Sequence, residues 1–332
     1  MTDETALFLT SEDVTGLAAP AEYVRAVREG YRQHGEGAPA RPRTRLLADD
    51  PPGMLTGYSA VLPETGAMGG YMYAAGFGAG DAHFVLPLFD AESGAPLAVF
   101  DGASLNPFKT GATGAVGVDA LARADASTLA VIGSGAQAHG QLRATATVRE
   151  FEAVRVFSST PENRRDFAES MDGELAADVS AVDSAATAVS SADVVVTATT
   201  AAEPVFDGAD LADGAHVTCM GQYHPEKREV DGETVARSKY VPDLRDRVDE
   251  DAGAFLLARE DGLIDDDHVH AELGEVVAGA APGRERDDEV TLFDSGGTGI
   301  ETVAAAAMLY EKAVEAGLGR EIEFAPASRA FE

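Results

Sequence analysis

The segment GSGAQA, residues 133–138, follows the spacing G-x-G-x-x-A between an apolar run, TLAVI, and a helix-forming stretch. In that context Gly133 permits a tight turn, Gly135 lets a pyrophosphate approach the backbone, and Ala138 lets the helix pack against the strand. Ala136 and Gln137 begin the helix, whose first N–H groups and positive dipole end attract phosphate. These residues predict the start of a dinucleotide-binding Rossmann domain.

The end of the next strand, VRVF, indicates which dinucleotide binds. An NAD site usually carries Asp or Glu there to bind the ribose 2′-hydroxyl. This chain has Ser158, Ser159 and Thr160 instead, with Arg164 and Arg165 close behind. Hydroxyls and guanidinium groups suit a 2′-phosphate, so we predict NADP(H). If the arginines only face solvent on their helix, NAD remains possible.

Apolar strands alternate with helical stretches in the second half of the chain, which predicts a parallel sheet with crossover connections. The strands are predicted at Leu129–Ile132, Val154–Phe157, Val194–Ala198, His216–Met220 and Tyr240–Asp243. The helices include Ala136–Val148 and Pro161–Met171. Thr199 then lies at the carboxyl edge of this sheet, where ligands bind in open α/β folds.

The first half of the chain has a different pattern of apolar and turn-forming residues. Apolar residues at helical spacing predict a helix over residues 20–34, whereas residues 41–101 contain short β-like runs broken by Gly, Pro and Asp. The turn from Asp90 to Pro96 predicts a hairpin, and hence antiparallel sheet. Helices are also predicted at Pro107–Ala124 and Gly299–Ala316.

Composition excludes several classes of protein. The net charge of −32 is spread along the chain, which favours a surface adapted to high salt over an acidic patch for a basic partner, and disfavours nucleic-acid binding. The sequence has no apolar run long enough to span a bilayer and no positively charged leader, so we expect a cytoplasmic protein without membrane contact. Cys219 is the lone cysteine, and the acidic run at residues 265–272 is interpreted as a solvated loop; we therefore predict no metal site.

Seven motifs in a fixed order make the chain resemble the ornithine cyclodeaminase/mu-crystallin family, including its alanine dehydrogenase and ketimine reductase branch. They are FDAESGAPLAVFDG, KTGATGAVGVDALAR, VIGSGAQAHGQL, ADVVVTATTAAEPVF, MGQYHPEKREVD, ELGEVVAG and TLFDSGGTGIETVAAAAMLYEKA. The resemblance covers residues 23–319, nearly the whole chain. It is more specific than the glycine loop alone.

This resemblance implies an α/β protein in which a β-rich N-terminal domain, completed by the C-terminal helix, binds substrate and forms a homodimer. That domain would comprise residues 1–110 with 305–332, and the Rossmann NAD(P)-binding domain residues 111–304. The resemblance also implies cofactor contacts from Thr110, Gly221 and Ser295, the last in the loop that packs over the nicotinamide.

The substrate residues implied by the resemblance depart from the family pattern in part. Arg43 matches the family arginine that holds the substrate carboxylate, although Arg41 and Arg45 alternate with it. The family's substrate-binding lysine falls near Gly70, Tyr71 and Met72, where this chain has no lysine, and Met72 is the substrate-binding candidate there. Lys109 stands where the family has an arginine, and it retains a charge that can bind carboxylate or phosphate.

The aspartate that assists cyclodeamination is replaced by Tyr223. Together with the absence of a lysine at Met72, this favours simple hydride transfer between a nicotinamide and a 2-amino or 2-imino acid. Tyr223, His224 and Lys109 are the candidate proton donors. The alternatives left open are ornithine cyclodeaminase and an NADPH-dependent binding protein without catalysis.

Overall fold

The computed structural model describes residues 5–331, which form two units. One unit comprises residues 5–109 and 298–331, and the other Thr110–Gly297. Residues 1–4 and 332 of the predicted first domain lie outside the described residues. The sequence placed the second boundary after residue 304. The structure places it after Gly297, because Thr298 caps the C-terminal helix and that whole helix packs within the first unit.

The first unit is a mostly antiparallel sheet with helices on one face. Its strands are β1 (Thr5–Leu9), β2 (Thr44–Asp49), β3 (Pro52–Leu62), β4 (Ala67–Gly76), β5 (His83–Asp90), β6 (Pro96–Asp101) and β14 (Arg320–Glu323). Its helices are α1 (Ser11–Val14), α2 (Pro20–Gly35), the beginning of α3 (Asn106–Leu121) and α11 (Gly299–Ala316). Within residues 5–331 the sheet has seven strands in the order β14-β1-β6-β5-β4-β3-β2. The predicted hairpin between β5 and β6 is confirmed, and β1 is parallel to β6.

Helices α2 and α11 form the core of this unit against β3 and β4. The predicted apolar face of α2, which includes Tyr23, Val27 and Tyr31, is buried. Gly30 allows the close approach of α11, since a Cβ at this position would lie 3.1 Å from side-chain atoms of Ile300 and Ala304. Burial of these apolar side chains away from water stabilises the unit.

The other face of the sheet is apolar but exposed. Leu46 pairs with Leu55, and Met72 pairs with Val85. Residues two apart on a strand share a face, and Leu55 lies two residues before Gly57, which pairs with Met72. All four side chains therefore lie on the same face of the sheet. Their exposed fractions run from 40% for Leu55 to 63% for Leu46. We call Leu46, Leu55, Met72 and Val85 the outer apolar face.

The second unit is a parallel sheet flanked by helices. Its strands are β7 (Thr128–Ile132), β8 (Ala153–Phe157), β9 (Asp178–Ala181), β10 (Val194–Thr197), β11 (His216–Cys219), β12 (Ser238–Pro242) and β13 (Val290–Asp294). Its helices, besides the rest of α3, are α4 (Ala136–Thr145), α5 (Pro161–Asp172), α6 (Ala185–Val189), α7 (Gly232–Arg237), α8 (Val248–Asp251), α9 (Gly253–Glu260) and α10 (Leu273–Val277). Short 3₁₀ turns cover Gly208–Asp210, Arg245–Arg247, Asp266–His268 and, in the first unit, Ala327–Phe331.

Among the described residues, this sheet has the order β12-β13-β11-β10-β7-β8-β9, and all its pairs are parallel. The strand order reverses between β7 and β10, which is where dinucleotides bind in doubly wound folds. The predicted Rossmann fold is therefore confirmed. No helix in the described part of the chain is both long and apolar enough to cross a bilayer.

His216 is a fully buried histidine at the start of β11. Its Nδ1 lies 2.9 Å from Thr291 Oγ1, and its Nε2 lies 2.9 Å from Thr218 Oγ1. Burial lowers the pKa of His216 from 6.5 to about 3, and the charges of Arg284 and Arg149 act in the same direction. The folded protein thus keeps a neutral imidazole that the unfolded chain protonates near pH 6.5.

We expect this histidine to make the protein less stable as the pH falls from about 6.5. Between that pH and the folded pKa the unfolded state binds the extra proton, so the free energy of unfolding should fall by up to about 1.4 kcal/mol per pH unit. Urea unfolding at several pH values from 6.5 to 5, above most carboxylate titrations, measures the slope. The variant His216→Asn should show a shallower slope; equal slopes would contradict the assignment.

Candidate active site

The glycine loop lies between β7 and α4, at the carboxyl edge of the parallel sheet. Gly133 has φ +126°, a conformation that favours glycine, and its N–H donates to the Phe157 carbonyl at 2.8 Å. A Cβ at this position would lie 2.4 Å from the Ala198 carbonyl oxygen. Around Gly135, by contrast, an added Cβ would meet no atom within 4 Å. The loop thus leaves open space at the residue predicted to face the pyrophosphate.

A cavity of about 410 Å³ opens beside this loop. Its walls come from the segments that follow β7, β8 and β10, and include Gly133, Ser134, Gly135, Ser158, Ser159 and Thr199. Ala136 is exposed at the first turn of α4. Gln137 follows it, and its buried Oε1 has no hydrogen-bond partner among the described residues. The cavity, the helix N-terminus and the unsubstituted Gly135 fit a dinucleotide phosphate.

The end of β8 presents hydroxyl groups to this cavity. Ser158 Oγ lies 3.1 Å from Ser134 Oγ and donates to the Thr160 carbonyl at 3.3 Å. Arg164 is buried, and its guanidinium donates to the Ser158 carbonyl at 3.1 Å and to Asp183 at 2.9 Å. Arg164 therefore supports the turn by donating to the backbone carbonyl of Ser158, and its guanidinium forms an ion pair with Asp183.

Two further predicted cofactor residues, Thr199 and Gly221, begin the loops after β10 and β11. The N–H groups of both donate to one carboxylate, that of Glu229, at 2.7 Å each. Glu229 is 2% exposed. Burial raises the pKa of Glu229, although the donated hydrogen bonds from Thr199 and Gly221 oppose that rise.

Thr110 is placed by the contact between α3 and α4. Its carbonyl accepts a hydrogen bond from Gln141 Nε2 at 2.8 Å. The two helices are close because both contribute glycine: a Cβ on Gly111 would lie 2.2 Å from the Gly140 carbonyl oxygen.

Ser295, predicted to lie on the cofactor side, is 2% exposed and part of a buried polar network. Its hydroxyl donates to Asp243 at 2.9 Å and its N–H to the Cys219 carbonyl at 3.0 Å. Arg247 donates to the carboxylates of Asp243, at 2.8 Å, and Asp294, at 2.9 Å. Because its hydroxyl is used in this network, Ser295 holds the loop after β13 in place.

In the first unit, Arg43 is buried just before β2. Its Nη1 donates to Tyr73 Oη at 2.8 Å, and its guanidinium carbon lies 5.3 Å from the centre of the Tyr58 ring. Arg41 is exposed and Arg45 is half-buried on β2. Arg43 therefore contacts the aromatic side chains of Tyr58 and Tyr73 from a buried position.

Lys109 is fully buried in α3 and contacts the same tyrosine. Its Nζ lies 5.6 Å from the centre of the Tyr58 ring and 5.4 Å from that of Tyr71. It also donates to Glu301 Oε1 at 3.2 Å. Burial alone would lower the pKa of Lys109, but Tyr58 and the Glu301 carboxylate raise it above its usual value. The Lys109 ammonium group therefore stays protonated and is poorly suited to donate a proton.

Glu301 is itself held from two other sides. The Thr298 N–H donates to its Oε1 at 2.6 Å, and the Thr298 side chain accepts from the Glu301 N–H, so the two residues form a capping box at the start of α11. The Thr298 hydroxyl also donates to Glu301 Oε2. Tyr31 Oη donates to Oε2 at 3.4 Å.

Met72 does not join this cluster. Side chains alternate along β4, so Tyr71 and Tyr73 are buried whereas Met72, between them, is 57% exposed on the outer apolar face.

Tyr223 and His224 lie in the turn after β11. Tyr223 is 38% exposed. His224 Nδ1 lies 3.1 Å from the Glu226 N–H and accepts from it, so a neutral His224 ring carries its proton on Nε2. The turn is held close to α9, because a Cβ on Gly253 would lie 2.4 Å from the His224 carbonyl oxygen.

The structure thus groups some of the predicted residues around the glycine loop in one unit, and Arg43 and Lys109 around Tyr58 in the other. Around the glycine loop it adds Glu229, and around Arg43 and Lys109 it adds Tyr58, Tyr73 and Glu301. The sequence offered no signal for the added carboxylates, since they are two among 57 acidic residues.

The chain was compared with known proteins. The profile of the ornithine cyclodeaminase/mu-crystallin family matches residues 4–317. The chain belongs to this family. Within it, the chain is 36% identical over 241 residues to a Delta(1)-pyrroline-2-carboxylate reductase of Bacillus cereus, covering 72% of this chain and 74% of the relative.

Two solved structures share the family fold over nearly the whole length. One is the Thermococcus litoralis Delta(1)-pyrroline-2-carboxylate reductase in complex with NADH and L-proline, with a TM-score of 0.90, 34% identity, and coverage of 95% of this chain and 100% of that one. The other is an archaeal alanine dehydrogenase dimer with bound NAD, with a TM-score of 0.90, 31% identity, and coverage of 97% and 100%. The predicted family and the predicted class, an NAD(P)-dependent oxidoreductase, are confirmed.

Proposed function

We propose that this protein is an NADPH-dependent reductase of 2-imino acids that delivers hydride to the carbon of a C=N bond next to a carboxylate. The observation that carries this proposal is the pairing of Arg43 and Lys109 against one aromatic ring, Tyr58. Two cations there suit the substrate carboxylate, and the aromatic surroundings suit a small apolar or cyclic body. NADPH, held at the glycine loop, supplies the hydride.

In this proposal each residue has a defined task. Arg43 binds the carboxylate in a two-pronged manner, and Lys109, fixed by Glu301, adds a second positive charge. Reduction of C=N places hydride on carbon and a proton on nitrogen. His224 Nε2 and the Tyr223 hydroxyl are the groups assigned to proton delivery, because Lys109 holds its proton more tightly than a free lysine.

Cyclodeamination is less well supported than reduction. Tyr223 and Met72 replace the two polar groups that the family resemblance assigns to that sequence of steps. The reductase and the alanine dehydrogenase that this chain resembles, by contrast, catalyse the simpler hydride transfer that their names describe.

We also propose that two copies associate through the outer apolar face. A groove of about 680 Å³, lined by Leu46, Leu55, Met72 and neighbouring residues, runs along this face. Apolar patches of this kind on soluble proteins mark interaction surfaces, and the related archaeal alanine dehydrogenase is a dimer. The mass in solution, measured by light scattering, tests the association.

The function is tested by following NADPH consumption with purified protein in molar KCl, since the net charge of −32 suits a high-salt solvent. The substrates are pyrroline-2-carboxylate, its six-membered homologue, and 2-oxo acids with ammonia. We expect turnover with at least one. NADPH binding without turnover would instead indicate a binding protein, and formation of proline and ammonia from ornithine with no net cofactor change would indicate a cyclodeaminase.

The preference for NADPH is proposed from the hydroxyl groups at residues 158–160. Ser158→Asp would place a carboxylate where the 2′-phosphate lies, so we expect the ratio of kcat/KM for NADPH over NADH to fall by about 10- to 100-fold. The control Ser180→Asp makes the same change at an exposed position on β9. A wild-type preference for NADH, or equal effects of the two variants, would refute the proposed preference.

A further inference from the structure

Glu229 is a buried carboxylate to which the proposed chemistry gives no task. It follows the turn that carries Tyr223 and His224, and 2% of its surface is exposed. Burying a carboxylate is costly unless strong hydrogen bonds compensate. Its partners therefore indicate what the residue is for.

Those partners belong to two different loops. Glu229 Oε1 accepts from the Thr199 N–H in the loop after β10, and Oε2 accepts from the Gly221 N–H in the loop after β11, both at 2.7 Å. Each oxygen thus holds one loop through its backbone. Hydrogen bonds to an ionised acceptor are about twice as strong as neutral ones, so the two loops are tied firmly.

The loops are also in direct contact. A Cβ on Gly221 would lie 2.2 Å from the Thr199 carbonyl oxygen and 2.5 Å from Glu229 Oε1. Gly221 has no room for a side chain. The two loops are close enough for a single carboxyl group, that of Glu229, to accept from both of them.

Thr199 lines the cavity beside the glycine loop, at the point where the strand order reverses. We propose that Glu229 is a positioning residue, which sets the spacing of the loops after β10 and β11 and thereby the affinity for the dinucleotide. This inference rests on the proposed function, since it assigns the dinucleotide to that cavity. The conformation of the cavity wall then depends on a side chain outside the cavity lining.

Glu229→Gln tests the proposal because the two side chains have the same shape. One glutamine oxygen can still accept a hydrogen bond, but the NH₂ group must face a backbone N–H, so one loop is released. We expect the Kd for NADPH, measured by cofactor fluorescence, to rise about 10-fold or more. The rise in KM for NADPH should exceed the loss in kcat, because Glu229 contacts the backbones of the loops and not the reacting atoms.

Asp231→Asn is the matched control. Asp231 lies two residues further along and accepts from the N–H groups of Gly208 and Thr234, where it caps α7. It is also a carboxylate that bridges two backbone donors, but its donors are Gly208 and Thr234 rather than Thr199 and Gly221. We expect its loss to lower the Tm while the Kd for NADPH stays at the wild-type value.

The outcomes separate the two proposals. If the wild-type protein binds no dinucleotide, the proposed function itself fails. If it binds NADPH and Glu229→Gln binds it equally well, or if Asp231→Asn weakens binding as much, the positioning role is overturned. Should Glu229→Gln fail to fold, Gly221→Ala perturbs the same contact: weaker NADPH binding supports the proposal and unchanged binding overturns it.

Discussion

Replacing Arg43 with leucine is expected to lower kcat/KM for the imino acid by about 100- to 1000-fold, with NADPH affinity unchanged. The loss of a charged partner from a buried, hydrogen-bonded carboxylate pair typically costs about 2–5 kcal/mol, and each 1.36 kcal/mol is a tenfold change in rate. Dinucleotide binding should not depend on Arg43, because the proposal assigns the cofactor to the glycine loop and Arg43 to the substrate carboxylate. Steady-state kinetics and NADPH fluorescence measure the two effects separately.

Arg45→Leu provides the control, since it removes the same charge two residues away from a half-buried position on β2. It should reduce kcat/KM by less than about 3-fold. Arg43→Lys should fall between, because lysine keeps the charge but loses the two-pronged geometry. If Arg43→Leu and Arg45→Leu are equally active, Arg43 does not hold the substrate.

Lys109→Met is expected to lower the free energy of unfolding by about 3–5 kcal/mol. The change leaves Glu301 buried at 1% exposure without its lysine partner, and breaking a fully buried ion pair by removing one side carries a penalty of this size. Urea unfolding in constant high salt measures the loss. A change below about 1 kcal/mol would mean that the pair contributes little.

The double variant Lys109→Met/Glu301→Gln separates stability from substrate binding. Removing both charges should recover most of the lost stability, because the amide oxygen of the introduced glutamine can accept from the Thr298 N–H while its NH₂ group can donate to the hydroxyl oxygens of Thr298 and Tyr31. Activity should remain low in both variants if the Lys109 charge serves the substrate. Recovery of kcat/KM in the double variant would show that Lys109 acts only through stability.

Local sequence signals were sufficient to predict the bounds of the C-terminal helix. The predicted helix Gly299–Ala316 has those bounds in the structure, because Thr298 and Gly317 are strong capping residues on either side. Strands β9 and β13 were not predicted. β9 is short and half-exposed, and β13 follows a charged loop and inserts between β11 and β12, which consecutive order along the chain does not reveal.

Side-chain assignments depended on tertiary contacts. The sequence left Arg41, Arg43 and Arg45 as alternatives, and burial of Arg43 against Tyr58 and Tyr73 distinguishes it. The Ser295 hydroxyl donates to Asp243, a contact that the sequence did not indicate, and its place on the cofactor side stays a prediction. In both cases the deciding partner lies on another strand or loop, so spacing along the chain contains no information about it.

The sequence by itself determined the family and the Rossmann unit with its phosphate-binding turn. It also distinguished the β-rich unit from the Rossmann unit, because all of these features depend on local spacing, periodicity and turn residues. Only the tertiary structure decided which charges are paired. Glu229, Glu301 and Asp243 are held by donors from other segments, most of them distant along the chain. In a chain with 57 acidic residues, burial and hydrogen bonding distinguish these three from the carboxylates that simply face water.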